Sequence, residues 1–302
     1  MNMKRKIVQH GSSSLTITLP NKWVEKFHIK KGDEVEVEEA GPTLCVMTTR
    51  EISPRKKTIT QKDGPFTKDN LSHLYQLGYD ELEIEITDDA TLQAIKERLP
   101  QCIGFELIDQ KEGKVVIKSI ATTIEAEFDT LLRKSFLLVD DMGKELLQAL
   151  KEQNYKNLHE IRNLEALNNK FTDTCIRILN KRGYSVPART MQMYEIVKTI
   201  ERIADEYKCL CDLAQEYGKK IEKPWLTDLE KTNEYYQALY HLFYHHDLAS
   251  KKMLTENYAV QRKSLTSLLE KTKGAHTRFV HLLLNILERT HEGFGSYSAL
   301  TL

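Results

Sequence analysis

The sequence of 302 residues is poor in cysteine and proline and has no long apolar run. Its 5 cysteines are odd in number and none forms a CxxC pair, so we predict free thiols in a reducing compartment. No stretch approaches the roughly 18–20 apolar residues that a membrane-spanning helix needs, which excludes membrane insertion. Residues 1–11 are charged and lack the apolar core of a signal peptide, so we expect a soluble, cytoplasmic protein.

The sequence also lacks an excess of charge of either sign. Its 44 Lys and Arg residues equal its 44 Asp and Glu residues, so only a local concentration of charge could attract a polyanionic partner. Hydrophobic residues at 40% and charged residues at 29% predict a globular chain rather than a disordered one. Because no nucleophile–base arrangement accompanies the acidic residues described below, we expect a regulator and not an enzyme.

The first segment, residues 1–52, has the pattern of a small β-module. Apolar and hydroxyl side chains alternate over residues 15–19, as in a half-buried strand, and Pro20 ends the pattern. The predicted elements are strands at residues 6–8, 15–19, 34–38 and 44–47, with a short helix over residues 21–27. So few short elements cannot bury a core alone, and we therefore expect the module to pair with a second copy.

The second segment, residues 53–120, is predicted to be a small α/β connector. Its predicted strands and helices occupy residues 57–60, 67–77, 82–86, 88–98, 104–108 and 115–120, in the order β, α, β, α, β, β. Asp88 and Asp89 stand at the start of the second helix, where carboxylates suit unpaired N–H groups. A linking or dimerising role fits this segment better than a catalytic one.

The third segment, residues 121–302, changes to the 3.6-residue period of amphipathic helices. We predict six helices, at residues 128–150, 157–182, 187–217, about 227–248, 259–272 and 276–299. Their short connections favour antiparallel packing. Residues 199–205 and 285–292 share an apolar-Glu-Arg pattern at the same place in each set of three helices, so we interpret the segment as two three-helix units.

Two pairs of carboxylates in this repeat are candidate metal ligands. Glu201 with Asp205, and Glu288 with Glu292, are each one helical turn apart and therefore share a face. A bound cation would remove their mutual repulsion, and oxygen ligands suit Mg, Mn, Fe or Ca. His291 could add a nitrogen ligand. The alternative is a solvated face whose counter-charges are neighbouring basic side chains.

The helical segment resembles a known family of regulators. Residues 198–205, Lys-Thr-Ile-Glu-Arg-Ile-Ala-Asp, resemble the signature helix of PhoU-type phosphate regulators, and residues 175–182 resemble the helix before it. The resemblance covers residues 121–302 and implies two three-helix bundles, dimerisation, metal clusters on acidic motifs, and control of phosphate uptake through a transporter or sensor kinase. The family's second acidic pair falls on Asn168 and Thr172 here, so each metal site would keep only half of its ligands.

The N-terminal segment resembles a second family. Its residues 15–20, Trp23, residues 27–29 and the Lys-Gly-Asp turn at 31–33 are similar to the AbrB/MazE swapped-hairpin family. The resemblance implies an interleaved dimer that binds duplex DNA through basic residues near its first strands. Thr16 stands where the family often has an arginine.

Local charge gives separate support for a DNA-facing surface. Residues 1–31 contain seven Lys or Arg residues and a single acidic residue, Glu25, a balance that attracts phosphates. We predict that the DNA-binding residues are Lys4, Arg5, Lys6 and Lys22, with Gln9, His10, Ser12, Ser13 and Ser14 on a flexible loop that contacts bases or phosphates.

Together these observations predict a multidomain α+β protein and leave three functions open. The first is a homodimeric, DNA-binding transcriptional regulator of phosphate uptake, with a PhoU-like sensor domain. The second is an adaptor that docks on a phosphate transporter or sensor kinase, in which the β-module only dimerises. The third is a metal-dependent hydrolase that uses the carboxylate pairs. The regulator is the function that we predict.

Overall fold

The structure is a computed structural model. It describes residues 4–11, 14–40, 43–48, 54–60, 62, 64–86, 88–111, 113–120 and 127–301. The chain divides into two compact units, Met1–Lys56 and Lys57–Leu302. Within the described ranges, no helix is long and apolar enough to span a membrane.

The described residues of the first unit form two antiparallel strand pairs and one short helix. Its elements are β1 (Val8–His10), β2 (Ser14–Thr16), α1 (Asn21–Lys26), β3 (Glu36–Ala40) and β4 (Thr43–Met47). Strands β1 and β2 pair antiparallel, and so do β3 and β4. Three predicted strands were misplaced: β1 begins at Val8 instead of residue 6, β2 ends at Thr16 instead of residue 19, and β3 begins at Glu36 instead of residue 34. Strand β2 is short because, among the described residues, it pairs with the three residues of β1 alone.

The connector of the second unit has the predicted order of strands and helices. Its elements are β5 (Lys56–Ile59), α2 (Lys68–Gln76), β6 (Glu81–Glu85), α3 (Asp89–Arg98), β7 (Phe105–Lys111) and β8 (Lys114–Ser119). The sheet order is β5-β6-β8-β7, with β8 antiparallel to both neighbours. Leu82 and Ile84 are fully buried on one face of β6, whereas Glu81 and Glu83 pair with lysines of β8 on the other. The predicted cap is confirmed, since Asp88 accepts from the N–H of Thr91 at 2.7 Å.

Six helices follow, as the periodicity predicts. They are α4 (Phe128–Glu152), α5 (Leu158–Arg182), α6 (Thr190–Tyr217), α7 (Lys223–His245), α8 (Leu248–Lys271) and α9 (Ala275–Thr301). The predicted bounds of the fourth and fifth helices were wrong. Helix α7 ends at His245, and α8 begins at Leu248 because the Asp247 carboxylate accepts from the N–H groups of Ala249 and Ser250. Leu248, which was expected inside the fourth helix, is 78% exposed.

The six helices pack as two sets of three. Helices α4, α5 and α6 contact one another, as do α7, α8 and α9, and the two sets meet where α6 contacts α9 and α4 contacts α7. One continuous apolar core runs through both sets. Gly293 lies at the α6–α9 contact, where an added Cβ would lie 3.2 Å from Thr199 Cγ2 and 3.0 Å from Leu239 Cδ2. This packing agrees with the two three-helix units that the sequence repeat predicted.

Helix α5 joins the connector to the helices through buried polar contacts. Arg177 donates to the carbonyl oxygens of Tyr75 and Tyr79 and pairs with Asp80, its Nη2 lying 2.5 Å from Asp80 Oδ1. One turn earlier, Asp173 Oδ2 lies 3.0 Å from Arg98 Nη2. The predicted connector and helical segment therefore share one compact unit, although each has its own apolar core.

Candidate nucleic-acid interface and acidic faces

The β1–β2 hairpin contains three of the predicted DNA-binding residues. Gln9 and His10 lie in β1 and Ser14 lies in β2, with His10 opposite Ser14 and Gln9 opposite Leu15. The prediction of a flexible loop was therefore wrong for these three residues, because they lie in paired strands. Gly11, directly after β1, has φ of +73°, which favours glycine. The predicted contacts Ser12 and Ser13 lie outside the described residues.

The predicted phosphate-binding side chains are exposed. Lys4, Arg5 and Lys6 lie directly before β1, and Lys22 lies in the first turn of α1. Exposed cations of this kind contact phosphate oxygens without a desolvation cost comparable to that of buried charges. The role of these residues in DNA binding stays a prediction.

Thr16 has a structural role in the hairpin that the sequence pattern did not indicate. Its Oγ1 donates to the carbonyl oxygen of Val8 at 3.1 Å, across the strand pair. This is the position at which the resembled family often has an arginine. Thr16 therefore stabilises the pairing of β1 and β2, and it supplies no positive charge at this position.

The first unit leaves large apolar side chains in contact with solvent. In residues 4–48, as far as their side chains are described, none is buried. Six large apolar residues there are between 56% and 71% exposed: Ile7, Val8, Leu15, Ile17, Val37 and Leu44. Among the side chains described in this unit there is thus no apolar core, as the small number of elements led us to expect.

Comparison with known proteins identifies the class of this first unit. Residues 8–53 match the family described as antidote-toxin recognition MazE, bacterial antitoxin. The chain therefore carries a MazE/AbrB-like domain at its N-terminal end, and the swapped-hairpin resemblance is supported over these residues. No curated protein and no solved structure matches the chain.

The carboxylates of the first predicted metal site each lie next to a lysine. Glu201 Oε2 lies 2.5 Å from Lys198 Nζ, and Asp205 Oδ1 lies 2.9 Å from Lys208 Nζ. Lys208 Nζ is also 2.9 Å from Oε1 of Glu165 on α5. Across the described residues, no three His, Cys, Asp or Glu side chains are grouped so as to hold a metal.

The second predicted site has a comparable arrangement. Glu288 Oε1 lies 2.8 Å from Arg262 Nε of α8, and Glu292 is exposed one turn further along α9. Arg289, the basic residue that follows Glu288, pairs with buried Glu206 of α6, Nη2 lying 3.0 Å from Oε1. The residues at these faces fit counter-charges within the protein better than a metal cluster, although metal binding itself stays a prediction.

His291 is engaged by two tyrosines. Its ring stacks on Tyr258 with centroids 3.7 Å apart, and its Nδ1 lies 2.9 Å from the hydroxyl of Tyr235. Burial lowers the pKa of His291 below the ordinary value of 6.5. Contacts with Tyr258 of α8 and Tyr235 of α7 therefore account for the position of the His291 ring.

Sequence reasoning did not assign Lys208 or Glu165 to the helix face that carries Glu201 and Asp205. Lys208 follows Asp205 by three positions, a spacing that places both side chains on one helix face. Glu165 on α5 contacts Lys208 only because α5 and α6 pack side by side. The first signal was readable from spacing, whereas the second required the tertiary structure.

Proposed function

We propose that this protein is a homodimeric DNA-binding regulator of phosphate uptake, in which a PhoU-like helical part senses the signal. The observation that supports dimerisation most directly is the exposed apolar set of the first unit, listed above from Ile7 to Leu44. Two copies that pair through these side chains would bury them. The burial favours the dimer, because it contributes roughly 25 cal/mol per Å² of apolar surface.

Pairing would also gather the basic side chains of two copies on one surface. Each copy contributes seven Lys or Arg residues within its first 31 positions, against the single acidic residue Glu25. Lys4, Arg5 and Lys6 are exposed directly before the hairpin. Such a surface favours duplex DNA, whose closely spaced phosphates release counterions on binding. The match of residues 8–53 to the MazE family is consistent with this role.

The link to phosphate supply is supported by the resemblance of residues 175–182 and 198–205 to PhoU-type regulators and by the two sets of three helices. In this proposal the helical part receives a signal from a phosphate transporter or sensor kinase. Helix α5 then passes it to the connector, to which it is joined by Asp173 and Arg177.

DNA selection with the full-length protein tests the proposal. A random duplex library is selected at about 50 mM and about 200 mM salt, and the affinity of the selected duplex is measured by fluorescence anisotropy. If the three basic residues of each copy contact phosphates, six contacts predict an affinity loss of about a thousandfold between the two salt concentrations. Sedimentation of the same sample should give a dimer.

Charge reversal identifies the surface. The triple substitution of Lys4, Arg5 and Lys6 by Glu is expected to weaken DNA binding by about a hundredfold or more. A matched control reverses the exposed Lys219, Lys220 and Lys223, which lie in the other unit, and should leave the affinity nearly unchanged. DNA affinity that is unmeasurable at low salt would contradict the regulator and favour the adaptor.

A further inference from the structure

We propose that the acidic face formed by Glu165, Glu201 and Asp205 is neutralised by lysines of the same chain, with the Lys208 ammonium replacing a metal ion between Glu165 and Asp205. The inference goes beyond DNA binding, and it makes this face of α5 and α6 independent of divalent metal. It follows from the positions of three carboxylates and two ammonium groups on neighbouring turns of α5 and α6.

The Lys208 ammonium bridges two helices. Its Nζ lies 2.9 Å from Glu165 Oε1 on α5 and 2.9 Å from Asp205 Oδ1 on α6. The Lys208 side chain is 24% exposed and that of Glu165 is 12% exposed, so this contact lies largely out of water. Glu165 Oε1 also accepts from Asn169 Nδ2 at 2.6 Å. This oxygen of Glu165 therefore already accepts two hydrogen bonds.

The ammonium donates to both carboxylates. Lys208 Nζ lies within hydrogen-bond distance of Asp205 Oδ1 and of Glu165 Oε1, and hydrogen bonds to two carboxylates favour the charged form of a lysine. At neutral pH a divalent ion on the same two oxygens would have to lie beside this positive charge. Since like charges repel strongly at the reduced dielectric of a half-buried site, metal and ammonium exclude each other.

The remaining carboxylate of the face is also paired. Glu201 contacts Lys198 one turn earlier on α6, with 2.5 Å between Oε2 and Nζ. The α5 positions at which the resembled family carries its second acidic pair are the fully buried Asn168 and Thr172. Thr172 Oγ1 donates to the carbonyl oxygen of Asn168. Neither side chain carries a carboxylate, so neither residue adds negative charge to the face. Three acids and two lysines then leave little negative charge for a metal ion to neutralise.

Manganese titration of the full-length protein tests the proposal, with MnCl₂ as the probe and calorimetry as the readout. The wild-type protein should show no saturable binding of Mn²⁺ at the acidic face. Lys208→Met removes the ammonium and keeps an apolar side chain of similar length. Its affinity for Mn²⁺ should be at least about tenfold higher than any residual affinity of the wild type. Lys263→Met, which alters an exposed lysine on α8, is the matched control and should behave as the wild type does.

Two results would overturn the proposal. One is saturable Mn²⁺ binding by the wild type that is abolished by Asp205→Asn. The other is a folded Lys208→Met protein, checked by circular dichroism, whose affinity for Mn²⁺ equals that of the wild type. If Lys208→Met does not fold, the wild-type protein alone decides: its melting temperature should be the same in EDTA and in about 1 mM MnCl₂, because only a bound ligand stabilises the native state. A rise with MnCl₂ that Asp205→Asn removes counts against the proposal.

Discussion

Gly143 in the middle of α4 should tolerate no side chain, although it lies in a helix. A Cβ at this position would lie 2.9 Å from Asn233 Oδ1, 3.0 Å from Tyr207 Oη and 3.1 Å from Asn233 Cγ. These atoms cannot move easily, because Tyr207 donates to Asn233 Oδ1 at 2.7 Å and Asn233 Nδ2 donates to the carbonyl oxygen of Gly143 at 2.7 Å. Both side chains are buried.

Two opposing effects set the size of the change for Gly143→Ala. Alanine in a helix interior is favoured over glycine by about 1 kcal/mol. The overpacked Cβ costs roughly 1–3 kcal/mol, and a hydrogen bond of Asn233 lost on relaxation costs a further 1–3 kcal/mol or so. We therefore expect a net loss of about 1–5 kcal/mol in the free energy of unfolding.

Gly295 supplies the matched control. It lies in α9, is exposed, and an added Cβ would meet no atom within 4 Å. Gly295→Ala should therefore keep the whole propensity gain and stabilise the protein by about 0.5–1 kcal/mol. The two substitutions are chemically identical and differ only in what surrounds the new methyl group.

Urea unfolding followed by circular dichroism at 222 nm measures both changes. The midpoint should fall for Gly143→Ala and rise for Gly295→Ala with unchanged slopes. Tyr207→Phe removes one of the three close atoms, so Gly143→Ala should cost less in that background than in the wild type. Equal stabilisation by both glycine substitutions would refute the reasoning.

Two further predictions concern buried charge and pH. Asp80→Asn removes the carboxylate that contacts Arg177 and Lys181, whose side chains are 5% and 12% exposed, and should lower the free energy of unfolding by about 3–5 kcal/mol. Glu83→Gln, at an exposed ion pair, should lower it by less than about 1 kcal/mol. Thermal or urea unfolding measures both changes. Because burial lowers the pKa of His291, its unfolded form binds a proton that the folded form resists, so stability should be full above pH 6.5 and fall as the pH drops below it. His291→Gln should flatten this pH dependence of the melting temperature, and an unchanged slope would contradict the assignment.

The residues of the candidate DNA interface stay a prediction, and their geometry was only partly predictable. Charge counting selected Lys4, Arg5 and Lys6, which are exposed, because local composition needs no tertiary information. The strand positions of Gln9, His10 and Ser14 were missed, since serines and glycine indicate a turn without stating where pairing begins.

The boundary between α7 and α8 shows a second limit of prediction from the hydrophobic pattern. Residues 249–258 are too polar for a strong helical period, so the start of α8 was placed about ten residues late. The Asp247 cap, which accepts from Ala249 and Ser250, was present in the sequence as a short signal that the apolar period outweighed.

The sequence by itself determined the order of elements, the repeat of three helices and the local charge of the N-terminal module. Each of these depends on periodicity or composition within a short window. Tertiary packing alone decided which charges meet: Glu165 reaches Lys208 from another helix, and Arg289 pairs with Glu206 instead of a neighbour on its own helix. Side chains far apart in sequence are brought together by helix packing, and no local pattern records that choice.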